Sequence, residues 1–307
     1  MVIREWALIT FTILAQMSVG AFVVLGVAHF FAVRAAGVAE ADRLSDRALV
    51  AIGPVLVLGL LASLLHLGNP LNAYRAVSNL QTSWLSREIF SSVAFTVVGG
   101  LFALMQWRKI STFGVRTVVA GLAALIGLFL VFSMSQVYLL PSQPAWNNLG
   151  TPISFFSTTL LLGTLVIGAA FVANYAYVQR TSPDCADAQC RLLRGTLRWV
   201  ALAAVVLLGA ELVTAPMQLA YLAGSQSAAA NATAQLMFGS FGLIFGLRLV
   251  LVFLGAGVLS VFLYQNAMSP GREKIMGTVA YGALALVLVS EVLGRYIFYA
   301  SHVKIGL

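Results

Sequence analysis

The sequence predicts an all-α, polytopic membrane protein of eight transmembrane helices, and three observations predict it. Hydrophobic residues make up 60% of the chain and charged ones 9%, with a mean hydropathy of +0.94, a balance foreign to soluble domains. Eight apolar segments follow one another, each near the roughly 20 residues that helical rise needs to cross the hydrocarbon core. Charge avoids those segments and collects in alternate gaps between them. Period-two strands of half that length, the mark of a transmembrane barrel, are absent.

The segments fall at about 7–31, 48–66, 89–107, 114–136, 153–175, 199–222, 236–264 and 275–299. The first is too long for the apolar stretch of a removable signal peptide, and Arg4 beside it is balanced by Glu5. The second delivers His66 to its far end. A connection over 67–88 contains Asn69-Pro70, a good helix start with Asn as cap and Pro in the first turn, so a short interfacial helix is expected over about 70–79. The third segment begins beside Glu88, and the fourth follows Arg108 and Lys109. The gap over 137–152 carries no charge but holds Pro141, Pro144, Trp146, Asn147, Asn148 and Gly150. Segments five and six are separated by the basic stretch 176–198, and segments six and seven by a Gly/Ser/Ala/Asn-rich gap over 223–235. No gap is long enough for an independent soluble domain. Residues 1–307 therefore read as one integral membrane domain, dividing into two four-helix bundles at about 7–136 and 153–299. No sequence repeat relates the halves. Gly99-Gly100, Gly242, Gly246, Gly255 and Gly257 are expected to allow close helix packing.

Twelve of the 18 basic residues lie after segments 1, 3, 5 and 7: Arg34, Arg43, Arg47, Arg108, Lys109, Arg116, Arg180, Arg191, Arg194, Arg198, Arg272 and Lys274. The positive-inside rule makes that side cytoplasmic and puts both termini outside a cytoplasmic (inner) membrane. The net charge of +8 is thus a topology signal, with no nucleic-acid partner implied. Trp6, Trp84, Trp107, Trp146 and Trp199 fall at span ends or in outer loops, as an interfacial belt requires. Cys185 and Cys190 lie in a cytoplasmic-side loop, where thiols stay reduced, and without a nearby His they make no zinc site.

Three histidines bound the redox chemistry. A membrane b-type haem needs two axial ligands at one depth, whereas His29 and His66 lie at opposite faces and His302 is beyond the last span. With no CxxCH, iron–sulfur spacing or Walker sequence either, no haem or metal is expected in this chain.

The gap between segments 2 and 3 carries the most specific information: His66-Leu67-Gly68-Asn69-Pro70, Ala73-Tyr74-Arg75 and Ser83-Trp84-Leu85-Ser86-Arg87-Glu88-Ile89. Folded back over the bundle, it brings His66, Arg75 and Glu88 towards one wet pocket at the outer face. A quinol gives up two electrons and two protons, so its hydroxyls need acceptors; a histidine and a partly desolvated carboxylate are suitable bases. Arginine orients a ring oxygen or holds the carboxylate, while the ring and tail lie among apolar helices. Arg75 is the expected electrostatic partner, with Arg87 and Trp84 as further quinol contacts. Each has a plainer role: His66 as a helix C-cap, Glu88 as a charge favoured at a helix N-terminus, Arg87 as a snorkelling anchor and Trp84 as part of the belt.

His66-Leu67-Gly68-x-Pro70, Ala73, Asn79 and Ser83-x-Leu85-Ser86-Arg87-Glu88-Ile89, together with Gly294-Arg295-Tyr296-x-Phe298-Tyr299-Ala300, resemble the membrane-anchor subunits of bacterial dimethyl sulfoxide reductases. The resemblance covers the whole chain and is most specific over 66–89. It implies a haem-free anchor that oxidises menaquinol, with His66 and Glu88 matching residues implicated in that step. It also implies an iron–sulfur electron-transfer subunit with four clusters and a catalytic subunit carrying the molybdenum cofactor as partners, and a terminal substrate reduced outside this chain.

Ionisable groups inside the membrane are costly and usually paired. Glu211 and Arg248 lie mid-span on adjacent segments and are expected to pair, with a proton path as the functional rival. Glu291 and Arg295 share a helix face four residues apart, as an isolated pair or as contacts to the site or a partner. Two other readings compete with the quinol-oxidising anchor. A passive anchor holds soluble subunits at the bilayer without touching quinone, and a secondary transporter uses the mid-span charges.

Overall fold

The computed structural model describes residues 3–64, 78–181, 188–267 and 272–305. Eight helices in it are long and apolar enough to cross a membrane, and no strand occurs among the described residues. They are α1 (Ile3–Ala36), α2 (Val38–Leu64), α3 (Trp84–Arg108), α4 (Phe113–Gln136), α5 (Gly150–Thr181) and α6 (Ala188–Ala223), then a seventh span built in three pieces, and α10 (Glu273–Ala300). The seventh span runs from α8 (Gly242–Val252) through a π-helical turn (Phe253–Leu259) into α9 (Ser260–Asn266).

The structure differs from the sequence reading between segments six and seven. The polar gap forms a short helix, α7 (Ala228–Phe238), whose N-cap Ser227 accepts the Ala230 amide. The chain then breaks at Gly239 before α8 begins. The expected helix over 70–79 falls outside the described residues.

Two of the turns at the basic face take very few residues. Gly37 alone separates α1 from α2, with φ of +84° and its amide bonded to Val33 O at 2.9 Å; a glycine adopts this left-handed helix stop without steric cost. Between α3 and α4, Lys109 takes the left-handed position and Thr112 caps α4 through the Val115 amide. Arg194 donates through Nε to the Tyr175 hydroxyl at 2.8 Å, and Arg198 through Nη2 to that of Tyr264 at 2.6 Å, tying basic residues of α6 to α5 and α9.

Helices α1 and α5 form the centre. Each packs on most of the other spans, and they have the largest buried shares of the eight. They cross where Gly20 meets Gly163: a Cβ on Gly20 would lie 1.8 Å from Thr159 O, and one on Gly163 would lie 2.1 Å from the Gly20 carbonyl carbon. Without side chains the backbones touch, which is how helices associate where lipid removes the hydrophobic drive. Of the glycines expected to do this, Gly255 and Gly257 meet neighbouring helices closely, whereas Gly100 and Gly246 face open space. Around the core, Val118, Leu125, Val206, Leu243 and Val250 point outward and exposed, the side chains a hydrocarbon solvent accepts.

Cys190, read as a reduced thiol, is disulfide-bonded in the structure. The protein's other cysteine, Cys185, lies outside the described residues.

Candidate functional site

The end of the bundle away from the basic loops gathers the polar groups of interest. Here Ser83 caps α3 and the Ser86 amide donates to its hydroxyl. Arg87 folds back over the preceding turn, donating through Nε to Leu80 O at 2.8 Å and through Nη2 to Gln81 O at 2.7 Å. Its guanidinium also lies 4.1 Å from the centre of the Trp84 ring, and Trp84 meets Phe132 of α4 edge-on. Arg87 and Trp84 therefore fix the start of α3 on the side turned away from the core.

Glu88 faces the other way. It shares the inward stripe of α3 with Ser91, Ser92 and Phe95, the i, i+3, i+4, i+7 spacing of one helix face, and is only 7% exposed. The serines spend their hydroxyl protons on helix carbonyls, Ser91 on Arg87 O and Glu88 O, Ser92 on Ile89 O. The Glu88 carboxylate itself lies within electrostatic reach of Tyr138 and Tyr299.

Those tyrosines form a directional series. Thr12 donates its hydroxyl proton to Leu8 O at 2.6 Å, so across the 3.5 Å contact Tyr299 is the donor to Thr12. Across their 2.6 Å contact, Tyr138 must then donate to Tyr299. The Tyr138 oxygen keeps its acceptor capacity for another group. Burial, with the neighbouring Tyr299 and Glu88, pushes the Tyr138 hydroxyl well above the usual phenol range, so it acts as a neutral hydrogen-bonding group.

An aromatic wall backs this pair. Trp146 stacks on Phe298 at 5.1 Å and donates through Nε1 to Phe298 O at 2.9 Å. His302 closes over it, ring centres 4.4 Å apart, with Nδ1 2.7 Å from Tyr299 O. The charge-free gap over 137–149 thus folds inward as part of the site: Thr151 donates to Trp146 O, and the Ile305 amide donates to Ser142 O.

The charges expected mid-span form one extended cluster that lies closer to this end, because the seventh span begins only at Gly242, shortly before Arg248, and Glu291 and Arg295 fall in the last part of α10. Arg248 pairs with Glu211 through Nη2 and approaches Glu291 at 3.9 Å. Thr158 donates to Glu291 Oε2 at 2.6 Å. Arg295 does not pair with Glu291, although they lie four residues apart on α10. It donates to Gln16 Oε1 at 3.0 Å and lies over the Phe155 ring, 3.9 Å from its centre, while Gln16 donates to Phe155 O. Glu211 Oε2, Arg248 Nε and Glu291 Oε1 have no hydrogen-bond partner. A cavity of about 60 Å³ bordered by Trp146, Arg248, Glu291 and Arg295 has room for water to satisfy the Arg248 and Glu291 groups.

Of the residues predicted from sequence, the structure brings Glu88 near Arg295 through the tyrosine pair, and joins Glu211, Arg248 and Glu291 directly. Helix α2 ends at Leu64; His66 and Arg75 lie outside the described residues. The sequence reading missed Tyr138, Tyr299 and Thr12, which three different elements supply. Tyr299 carries the clearest signal, standing inside the segment 294–300 already singled out.

Comparison with known proteins agrees with this architecture. The protein is 29% identical over 310 residues to the YnfH subunit of an anaerobic dimethyl sulfoxide reductase of Escherichia coli, covering 99% of this sequence and 97% of that one. To the C subunit of the same organism's anaerobic dimethyl sulfoxide reductase it is 28% identical, again over 99% of this sequence and 97% of that one. A subunit of bd oxidase from Geobacillus thermodenitrificans superposes with a TM-score of 0.63 at 11% identity, over 97% of this protein and 85% of that subunit, a likeness of fold alone. Residues 1–301 match the family described as DMSO reductase anchor subunit (DmsC), and the protein belongs to that family.

Proposed function

We propose that this protein binds and oxidises menaquinol and passes the electrons to an iron–sulfur subunit of a dimethyl sulfoxide reductase-type molybdenum complex. The observation that carries the reading is Glu88: a carboxyl buried at the mouth of an anchor-family bundle, beside a hydrogen-bonded tyrosine pair. Its burial needs a purpose, since a lone acidic group in such surroundings is expensive.

Oxidation removes two electrons and two protons. One hydroxyl proton goes to His66 and the other to Glu88, each acting as a positioned general base. The ring oxygen left behind accepts hydrogen bonds, with Arg75 supplying positive charge. Both electrons leave for a cluster in the partner subunit seated on the same face, and the protons pass to water there. Tyr138 and Tyr299 hold the carboxyl in a polar but water-poor setting. Quinol arrives sideways from the bilayer, and its ring packs among apolar and aromatic side chains.

The test uses the complex purified with its partner subunits and a reduced naphthoquinol analogue, following iron–sulfur reduction by its spectrum. Wild type should reduce the clusters; His66→Ala and Glu88→Gln should slow reduction at least about tenfold, given the roughly 10²–10⁴-fold that a positioned base contributes. Equal rates in all three would leave a passive anchor or place oxidation elsewhere.

A further inference from the structure

The basic end of the bundle contains a second candidate ligand site that the quinol reading does not use. A cavity of about 720 Å³ opens between α1, α2, α3 and α4, within the range of small-molecule pockets. Its wall is almost wholly apolar, with aromatic faces from Phe22, Phe102 and Phe113 and polar groups only at the basic end. Gln106 marks that end. It lies eighteen residues along α3 from Glu88, or ~27 Å at 1.5 Å per residue, so the two sites are separate.

The buried polar groups there are balanced except for two, and Arg34, the one further charged side chain on the wall, lies exposed over the Phe30 ring, 4.3 Å from its centre. Asp42 and Asp46 each accept from Gln106 Nε2, at 2.7 and 2.9 Å, and from Lys109 Nζ, at 2.9 and 2.8 Å. Arg116 donates to Gln106 Oε1 at 2.9 Å and lies 3.6 Å from Asp42. Two carboxylates face two cations, so the cluster is electrically neutral while His29 is neutral. Two functions remain open. Arg116 borders the cavity, is 7% exposed and has no partner for Nε, a buried donor without an acceptor. His29 also borders the cavity, and its tautomer follows from its neighbour. Ser45 gives its hydroxyl proton to Ala41 O at 2.8 Å, so it must accept from Nδ1–H of His29, also at 2.8 Å. Neutral His29 is left with an acceptor at Nε2, and Asp42, 3.8 Å away, has no proton to offer it.

An occupant must therefore give a hydrogen bond to His29 Nε2 and accept one from Arg116 Nε. It must add no charge to a balanced cluster and bring a flat apolar body to an aromatic-lined cavity. A phenolic hydroxyl on a fused ring does all four. We infer that this cavity is a second isoprenoid-quinol binding site, on the face of the membrane opposite Glu88, with His29 and Arg116 holding one ring hydroxyl. The inference concerns binding only; no electron transfer is assigned to it, and it does not depend on oxidation occurring near Glu88.

Gly121 and Gly26 border the cavity, and a Cβ on either would meet nothing within 4 Å, so each admits a side chain that fills the space. The assembled complex would be irradiated with a photoreactive naphthoquinol bearing a short isoprenyl tail, and adducts located by peptide mass spectrometry. Wild type should yield adducts on α1 and α4 near Phe30 and Phe113 as well as at the Glu88 end. Gly121→Phe and Gly26→Phe should each lower the basic-face adduct at least tenfold without altering iron–sulfur reduction by quinol, whereas Glu88→Gln should leave it in place. No basic-face adduct in an assembled complex would overturn the inference. So would an adduct that survives both filling variants, or one displaced by an anionic phospholipid but not by unlabelled naphthoquinol. Loss of the Glu88-end adduct alone would count against the oxidation site and not against this one.

Discussion

The buried cations of this bundle are held by partners from distant parts of the sequence, and Arg248 shows how much rests on one side chain. It neutralises Glu211 and stands beside Glu291, groups 2% and 3% exposed. Gly294 makes room for it, since a Cβ there would come within 2.5 Å of Arg248 Nε. Arg248→Met fills similar volume but leaves two carboxyls without their cation, an imbalance of the kind that costs about 3–5 kcal/mol. The purified complex should lose roughly 10 °C in thermal midpoint, taking about 2–4 °C per kcal/mol. Glu211→Gln combined with Arg248→Met should recover part of that loss, because one of the stranded charges is gone. If Arg248→Met melts with wild type, the cluster is hydrated well enough that the ion pairing adds nothing. Glu88 is the opposite case at this scale: no cation pairs with it among the described residues, so Glu88→Gln should leave the melting point within a few degrees while quinol oxidation falls. That split between stability and rate separates a reacting carboxyl from a structural one.

At the scale of the helix, the central crossing is the weak point. The backbones of α1 and α5 meet at Gly20 and Gly163 with no space for a methyl group. Gly163→Leu must part the two helices that most other spans lean on, and overpacking of this kind costs about 1–3 kcal/mol or more. Yield of folded anchor in membranes should drop severely, whereas Gly100→Leu, which meets open space, should express like wild type. Equal yields would mean that the crossing adjusts freely. Neither the tight glycine pair nor its opposite was legible in the sequence, because a glycine's role depends on which helix lies across from it. The spans were legible, since hydropathy and length are properties of each segment alone. Helix α7 was not: its Ala, Asn and Ser composition reads as a polar gap, while Ser227 as cap and a run of alanines are enough to start a helix. The π-helical turn at Phe253–Leu259 has no sequence mark either. Glu88 stood out by its place before an apolar run, but the tyrosines around it come from a loop after α4 and from the end of α10, and only folding joins them.

For the whole molecule the charge asymmetry makes a prediction about which face looks outward. The helix ends and short links where α1 meets α2, α3 meets α4, α5 meets α6 and the seventh span meets α10 carry twelve basic residues, and the membrane-insertion machinery retains such ends in the cytoplasm. That rule predicts that Glu88 lies towards the outside, together with the start of α1 and the end of α10. Single cysteines at Gln226 and Ala39, both exposed and at opposite ends of the bundle, report this directly once Cys185 and Cys190 are replaced by serine. A membrane-impermeant maleimide added to intact spheroplasts should label Gln226→Cys and should reach Ala39→Cys only after the membrane is opened. The reverse pattern would invert the molecule and put quinol oxidation on the cytoplasmic face. Orientation also sets the energetics. If quinol releases its two protons outside, and its two electrons pass to a cluster seated on that same side, no net charge crosses the bilayer. Proteoliposomes oxidising quinol with an impermeant one-electron oxidant such as ferricyanide on the side holding Glu88, so that no S-oxide reduction takes the protons back, should then acidify that side while a potential-sensitive dye stays flat. A potential that develops with turnover would require charge to move along the bundle. The buried series of Arg295, Glu291, Arg248 and Glu211 is where variants would first be made to find it.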